Sequence, residues 1–276
     1  MIKEFIVNNI CKLDRMSHND RIVVGDEGCY ACAFNENTKA IIQKAIRKGI
    51  YIRYVTPILT EACVDIARNN IINIANQVNL KVVFNDYGFL YLLRDYIDAG
   101  KIIPVLGRVL AKSLIDCPWY DKIICNEDKE INRAILGSTL YHESKIRLLN
   151  DLGISEVEIN HYSDSYLSEL KQIGLNITTY ENNRLITIGR SCYWAIWNAG
   201  DIKKCNLFPQ CDNEIFITLE KKWSKKNKMY IASNVADKLL YDNLYVLGNK
   251  VYQRIINTVN TSMVDYLICN KYYSED

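Results

Sequence analysis

The sequence predicts an α/β protein, a (β/α) TIM-barrel-like domain that carries a short C-terminal β-hairpin and helix as an appendage. Three observations support that expectation. Short β-branched runs alternate with segments of helical spacing, the pattern of parallel strands joined by crossover helices. Six or more such units precede residue 190, which favours a closed or nearly closed barrel over an open doubly wound sheet. No G-x-G-x-x-G run follows the first strand, which counts against a dinucleotide-binding sheet.

In chain order, RIVVGD (21–26) is apolar and stops at Gly25-Asp26, as a buried strand does. NTKAIIQKAIRKG (37–49) has helical spacing and closes on Gly49. YIRYVTP (51–57) reads as a strand and EACVDIARNNIINIANQV (61–78) as a helix. KVVFND (81–86) pairs with YGFLYLLRDYIDAG (87–100), and KIIPVLG (101–107) with a less regular stretch. EINRAILGSTLYHESKIRLLNDLG (130–153) leads to SEVEIN (155–160), SDSYLSELKQIG (163–174) and a last barrel strand, RLITIG (184–189). Beyond Cys211, EIFITLEKKWSKKNKMYIASN (214–234) reads as a hairpin and VYQRIINTVNTSMVDYLI (251–268) as a terminal helix. Residues 1–190 are thus expected to form the barrel-like domain. Residues 191–276 are expected to supply a loop and a C-terminal extension that complete the same domain.

The chain of 276 residues is 49% hydrophobic and 24% charged, the balance of a globular protein with a sizeable core. A net charge of +2 argues against, without excluding, a nucleic-acid partner held by bulk electrostatics. Lys221, Lys222, Lys225, Lys226 and Lys228 form a local patch able to touch phosphate, but are expected to solvate a turn between two strands. MIKEFIVNNICKLDR has no long apolar stretch of the signal-peptide kind, and no run reaches the roughly 18–20 apolar residues that span a bilayer. The expected location is the cytoplasm, where thiols stay reduced, so the ten cysteines are core fillers, metal ligands or reactive thiols and not a disulfide framework.

The cysteines are not evenly spread. GRSCYWAIWNAGDIKKCNLFPQC (189–211) holds three of them in the spacing C-x12-C-x5-C, wider than a metal knuckle. Cys29 sits three residues past RIVVGD and Cys192 three residues past RLITIG. In a closed barrel an early and a late strand are neighbours, so both thiols are expected on the rim of the C-terminal strand ends, where function collects. Cys205 and Cys211 follow on a loop with Gly200 and Pro209 as turn formers. Four thiolates suit tetrahedral zinc or an iron–sulfur cluster. Cys11, Cys63, Cys117, Cys125 and Cys269 stand among apolar neighbours and read as core fillers. Cys32 makes C-x2-C with Cys29 and stays open between a redox dithiol, a metal ligand and packing.

Several of these segments resemble the collagenase-like peptidases of family U32, and within it the UbiU- and UbiV-like proteins of oxygen-independent ubiquinone biosynthesis. VVGDEGC resembles the family's Gly-Asp and cysteine after its first strand, and KVVFNDYGFLYLL its strand with an Asn/Ser-Asp-x-Gly turn. PVLGRVL resembles its Gly-Arg or Gly-His segment, GRSCYWAIWNAGDIKKC the C-x12-C part of its cluster motif, and DKLLYDNLYVLGN its tail. The resemblance implies a barrel carrying a [4Fe-4S] cluster on Cys29, Cys192, Cys205 and Cys211, with zinc as the alternative occupant. One departure stands out: UbiV-like members end in C-x3-C, whereas this chain has C-x5-C.

The same resemblance implies oxygen-independent hydroxylation of an aromatic substrate, with prephenate as oxygen donor and a UbiU-like heteromeric partner. On that reading the cluster is a redox or Lewis-acid centre, and residues at the other strand ends line a mouth for a small aromatic or carboxylated substrate. Those residues are Asp26, Asn85, Asp86, Arg108 and His161, with Arg108 as carboxylate anchor because its planar fork matches a carboxylate. The alternatives are a peptidase or other hydrolase and a non-catalytic cluster-bearing partner subunit. The chain has no G-x-S-x-G elbow and no H-E-x-x-H, and His18, His142 and His161 are its only histidines.

Overall fold

The computed structural model describes residues 1–112, 140, 142–160, 164–189, 192–193, 214–216, 244–255 and 261–270. Its strands are β1 (Ile2–Ile6), β2 (Arg21–Gly25), β3 (Tyr51–Val55), β4 (Leu80–Phe84), β5 (Ile102–Leu106), β6 (Glu156–Glu158), β7 (Asn176–Tyr180), β8 (Asn183–Ile188), β9 (Ile215–Phe216), β10 (Leu244–Leu247), β11 (Lys250–Arg254) and β12 (Tyr266–Cys269). Eight of them close a parallel barrel in the order β1-β12-β7-β6-β5-β4-β3-β2. The other four form a separate sheet, β8-β11-β10-β9, in which all pairs are antiparallel. The chain divides into two compact units, Met1–Lys112 with Thr139–Asn182 and Asn257–Asp276, and Ser113–Ser138 with Asn183–Ile256.

The barrel fold class expected from the sequence is the one observed, but its strands are drawn differently. RLITIG is not a barrel strand: as β8 it pairs antiparallel with β11, so the strand before Cys192 belongs to the second sheet. The barrel closes instead through β12, which lies between β1 and β7. Residues 251–268, expected as a helix, hold β11 at one end and β12 at the other. The expected 214–234 hairpin is described only at β9, and the described hairpin is β10–β11, turning at Gly248 with φ +62°. The lysine-rich turn at 221–228 lies outside the described residues.

Local chemistry explains the crossover helices. Helix α1 (Tyr30–Ala33) leads into α2 (Glu36–Lys48), which starts on Asn35, whose side chain accepts from Thr38 N at 2.8 Å. It stops at Gly49, a left-handed residue with φ +67°. Helix α3 (Glu61–Ala75) buries Ala67, Ile71, Ile74 and Ala75 along one stripe. Helix α4 (Tyr87–Leu92) is capped by Asp86, which accepts from Phe89 N at 3.0 Å, and is followed by α5 (Arg94–Asp98). Helices α6 (Glu143–Asp151) and α7 (Asp164–Gln172) flank β6.

Side chains two apart on a strand share a face, and this sorts the barrel interior. Val23, Val55, Val83, Val105, Tyr180 and Ile268 form one buried cluster, with Ile6 packed against it. Two residues earlier on several of the same strands the inward positions are polar: Glu4, Arg53, Lys81, Thr178 and Tyr266. The barrel therefore has an aliphatic belt with charge on its N-terminal side. Among the described residues no helix is long and apolar enough to cross a membrane.

Candidate functional site

The C-terminal rim begins at the Gly25-Asp26 turn after β2. Gly25 has φ +96°, and a Cβ there would lie 2.2 Å from the Val55 carbonyl oxygen, so only glycine fits both the conformation and the space. Asp26 then folds the chain back, its Oδ1 accepting from Gly28 N at 2.8 Å and from Cys29 N at 2.7 Å. This sets Cys29, half-buried, as the residue that caps α1. Cys32 is also half-buried, as is Cys192. Cys205 and Cys211 lie outside the described residues, and among those described no group of three metal-ligating side chains occurs.

Asn85 and Asp86 hold the rim together. Asn85 Nδ2 donates to Thr56 O at 2.8 Å and its Oδ1 accepts from Val109 N at 3.2 Å, which stitches the ends of β3, β4 and β5. A Cβ on Gly107 would fall 2.1 Å from that Oδ1, so the Gly-Arg sequence keeps space for the asparagine. Asp86 caps α4 and accepts from Leu59 N at 3.4 Å. Both side chains have backbone partners, which is the turn chemistry their types favour.

Arg108 is 3% exposed, and its Nε and Nη2 form a two-pronged bond with Glu27, at 2.7 and 2.6 Å. Its Nη1 faces Asn160 Oδ1 at 3.4 Å, and its guanidinium lies 3.6 Å from the ring centroid of Tyr180. The Tyr180 hydroxyl donates to Glu158 Oε2 at 2.8 Å. Glu158 Oε1 accepts from Arg53 Nη1 at 3.2 Å, and Arg53 also pairs with Glu4 and, at 2.5 Å, with Glu156. Lys81 completes this side, 2.7 Å from Glu156 Oε2 and 4.1 Å from the Tyr266 ring. A continuous polar chain thus runs from the inner charges of β1, β3, β4 and β6, past Tyr180, to the mouth.

Burial and neighbours set the protonation of this chain. Burial opposes the charge of Arg53, but Glu4, Glu156 and Glu158 outweigh it and hold the guanidinium above its ordinary value. Burial raises Glu156 as well, yet Arg53 and Lys81, with hydrogen bonds from Lys81 and Thr178, keep its carboxyl below the usual range. For Glu158 burial wins over Arg53, and its carboxyl is pushed up to about 7. Burial, followed by the charge of Glu158, holds the Tyr180 phenol well above its ordinary value.

Of the residues singled out from sequence, Asp26, Asn85, Asp86 and Arg108 all stand on the C-terminal rim of the barrel, and His161 lies outside the described residues. Glu27, Glu158, Asn160 and Tyr180 were not expected there. Glu158 and Asn160 lie inside SEVEIN, whose alternating acids at 156 and 158 were a usable signal: on a strand they must face one side together. His18 and His142 are exposed, and His142 Nδ1 lies 2.7 Å from Ser144 Oγ. Cys269 is buried as a core filler, its thiol pushed up to about 12 by burial and then by Glu181. Cys63 is half-buried and Cys11 is exposed, so Cys11 is not a core residue. Cys117 and Cys125 lie outside the described residues.

Fold and rim together define a closed parallel (β/α) barrel with a polar mouth at the C-terminal ends of its strands. Among solved structures the chain is similar to the U32 peptidase Mk0906, at 10% identity over 99% of this chain and 94% of that one, with a TM-score of 0.49. No protein-family profile matches the chain, and no curated protein does.

Proposed function

We propose that this is an iron–sulfur barrel protein, with a [4Fe-4S] cluster on the thiolates of Cys29, Cys192, Cys205 and Cys211. The observation that supports it is the Gly25–Cys29 turn, in which a glycine no other residue can replace and an Asp26 oxygen accepting from two loop amides present one half-buried cysteine at the rim. That is costly geometry for a residue with only a packing role, and functional side chains of barrels collect at this rim. When bound, the cluster would supply redox or Lewis-acid chemistry beside the mouth, its potential set by burial and hydrogen bonds to sulfur.

The residues of this chain have three tasks on this reading. Cys29 and its partners hold the metal, Asp26 fixes the Cys29 loop, and Arg108 with Asn160 and Tyr180 orients a small aromatic or carboxylated substrate at the mouth. Oxygen-independent hydroxylation of an aromatic ring, alone or beside a UbiU-like partner, is the activity proposed. The hydrolase reading gains nothing from the described histidines, both of which are exposed. The deciding experiment is anaerobic purification with iron and sulfide analysis of wild type and Cys29→Ala. We expect a brown protein with close to stoichiometric cluster, lost in the variant. Colourless protein holding one zinc and no sulfide would sink the proposal.

A further inference from the structure

Among the described residues the charges that meet inside the barrel do not balance. Three cations, Arg53, Lys81 and Arg108, face four carboxylates, Glu4, Glu27, Glu156 and Glu158. A fourth cation, Arg21, reaches Glu4 only at 3.9 Å and has a side chain 28% exposed. A carboxylate without a cation of its own in a dry interior keeps its proton, because an unpaired buried charge is the costlier state. The contacts identify which one it is. Glu27 has both prongs of Arg108, Glu156 has Lys81 as well as Arg53, and Glu4 has Arg53 Nε with Arg21 behind it. Glu158, 1% exposed, has only the 3.2 Å arm of a guanidinium already committed to two other acids.

Its second partner suits a proton. The Tyr180 hydroxyl donates to Oε2, and Glu158 can accept that bond in either state because a protonated carboxyl keeps acceptor capacity on its oxygens. The Tyr180 ring in turn supports Arg108, whose other face of contacts is Glu27 and Asn160. The charged groups around Glu158 are thus Arg53 from β3, Glu4 from β1, Glu156 from its own strand, Lys81 from β4, and Arg108 and Glu27 from the rim loops. Burial, helped by the charge of Glu27, outweighs Arg53, the Tyr180 hydrogen bond and Arg108, and raises its carboxyl to about 7.

We propose that Glu158 is the proton-holding residue of the barrel mouth, coupled through Tyr180 and Arg108 to whichever acid sits on the Arg108 fork, so that a carboxylate-bearing substrate added there draws one proton from solvent onto Glu158. Glu158 touches no reacting atom; it positions charge, letting the site accept an anion without a net change in its interior. The substrate clause rests on the reading of the mouth given above, whereas the proton itself does not.

The test is difference infrared spectroscopy on the full-length chain, wild type against E158Q, across a pH titration. We expect a protonated-carboxyl stretch at pH 6 that is absent from E158Q and disappears with a midpoint near 7. E27Q removes the negative charge on Arg108 and should lower that midpoint by on the order of half a unit to one unit. Y180F keeps the ring but removes the donor to the ionised form, and should raise it. Unfolding in urea gives an independent reading. A raised carboxyl adds stability that is complete below its ordinary value of 4.5 and lost as pH climbs through about 7. The wild type should therefore lose stability relative to E158Q over that window. No acid band in wild type at pH 6, or one that persists in E158Q, overturns the assignment. A midpoint unmoved by E27Q overturns the coupling to the mouth. None of these readouts involves metal, so they stand or fall separately from the iron analysis.

Discussion

The inner charges of the barrel and the charges of its mouth use the same residue types to different ends. The inner set, Glu4, Arg53, Lys81, Glu156 and Thr178, stands entirely on strands, and each member is fixed by the register of the sheet. The mouth set, Glu27, Arg108 and Asn160, stands just past strand ends, where backbone can vary without disturbing the ladder. The inner set places Arg53 and Lys81 against Glu4 and Glu156, with Glu158 reaching Arg53 from the mouth side, while the mouth set has one guanidinium, one carboxylate and an aromatic platform. The first arrangement specifies which strands meet. The second sits where loops meet the strand ends, the place where barrels collect function, which is why we assign structure to one and function to the other.

The sharpest way to break that contrast is Arg53→Met. It leaves Glu4, Glu156 and Glu158 together in a barrel with Lys81 as the nearest remaining cation, and uncompensated buried charge is among the costliest of defects. We expect a loss of about 3–5 kcal/mol or more, enough to leave little folded protein, read as a lowered urea midpoint. If Arg53→Met folds with near-normal stability, the inner network is not structural and the division between the two regions fails.

Gly25→Ala tests the rim from the backbone side. The added methyl must occupy a left-handed conformation and overlaps the Val55 carbonyl, with Asp26 N bonded to that same oxygen at 3.1 Å. A cost on the order of 2–4 kcal/mol follows from strain and overpacking together. Because β2 must shift away from β3 to relieve it, the Cys29 loop moves as well. Metal content per folded molecule should drop more than stability does. Equal losses of both would say that the turn serves the fold alone.

The contrast also explains what could be read from the sequence. The five barrel strands that were legible, at 21–26, 51–57, 81–86, 101–107 and 155–160, carry β-branched residues between turn and helix signals, and that pattern survives Arg53, Lys81, Glu156 and Glu158 on three of them. The three that were not, β1, β7 and β12, contribute the remaining polar positions of the interior. IKEFI turns Glu4 inward, NITTY buries Thr178 and Thr179 by hydrogen bonds, and Tyr266 lies under Arg53 and Lys81. Short strands of this kind have neither a long apolar run nor a clean alternation on which strand recognition depends, and β12 was absorbed into a helix-like run. RLITIG has that signal without being in the barrel, since an antiparallel strand buried on one face alternates just as well. The site divides along the same line. Arg108, Asp26 and Asn85-Asp86 follow strands that could be seen, so their place on the rim was legible. Glu27 and Tyr180 were not, because an acid next to a turn and a tyrosine among 19 look ordinary until the barrel closes around them.

Asp26→Ala is the mildest perturbation and separates fold from site most cleanly. Asp26 is half-buried, and its carboxylate is bonded to the two loop amides of Gly28 and Cys29. Losing an Asx-type cap costs about 1 kcal/mol in comparable settings, so the variant should fold, and its urea midpoint should fall only slightly. The amide of Cys29 is then no longer tied to the end of β2, and the thiol samples positions that a rigid four-ligand site does not tolerate. We therefore expect iron occupancy of anaerobically prepared protein to fall several-fold at nearly unchanged stability, with Asp26→Asn, which keeps an acceptor oxygen, intermediate. If all three proteins bind iron equally well, Cys29 is not held by this turn for a metal, and the mouth must be explained from Arg108, Glu27 and Glu158 alone.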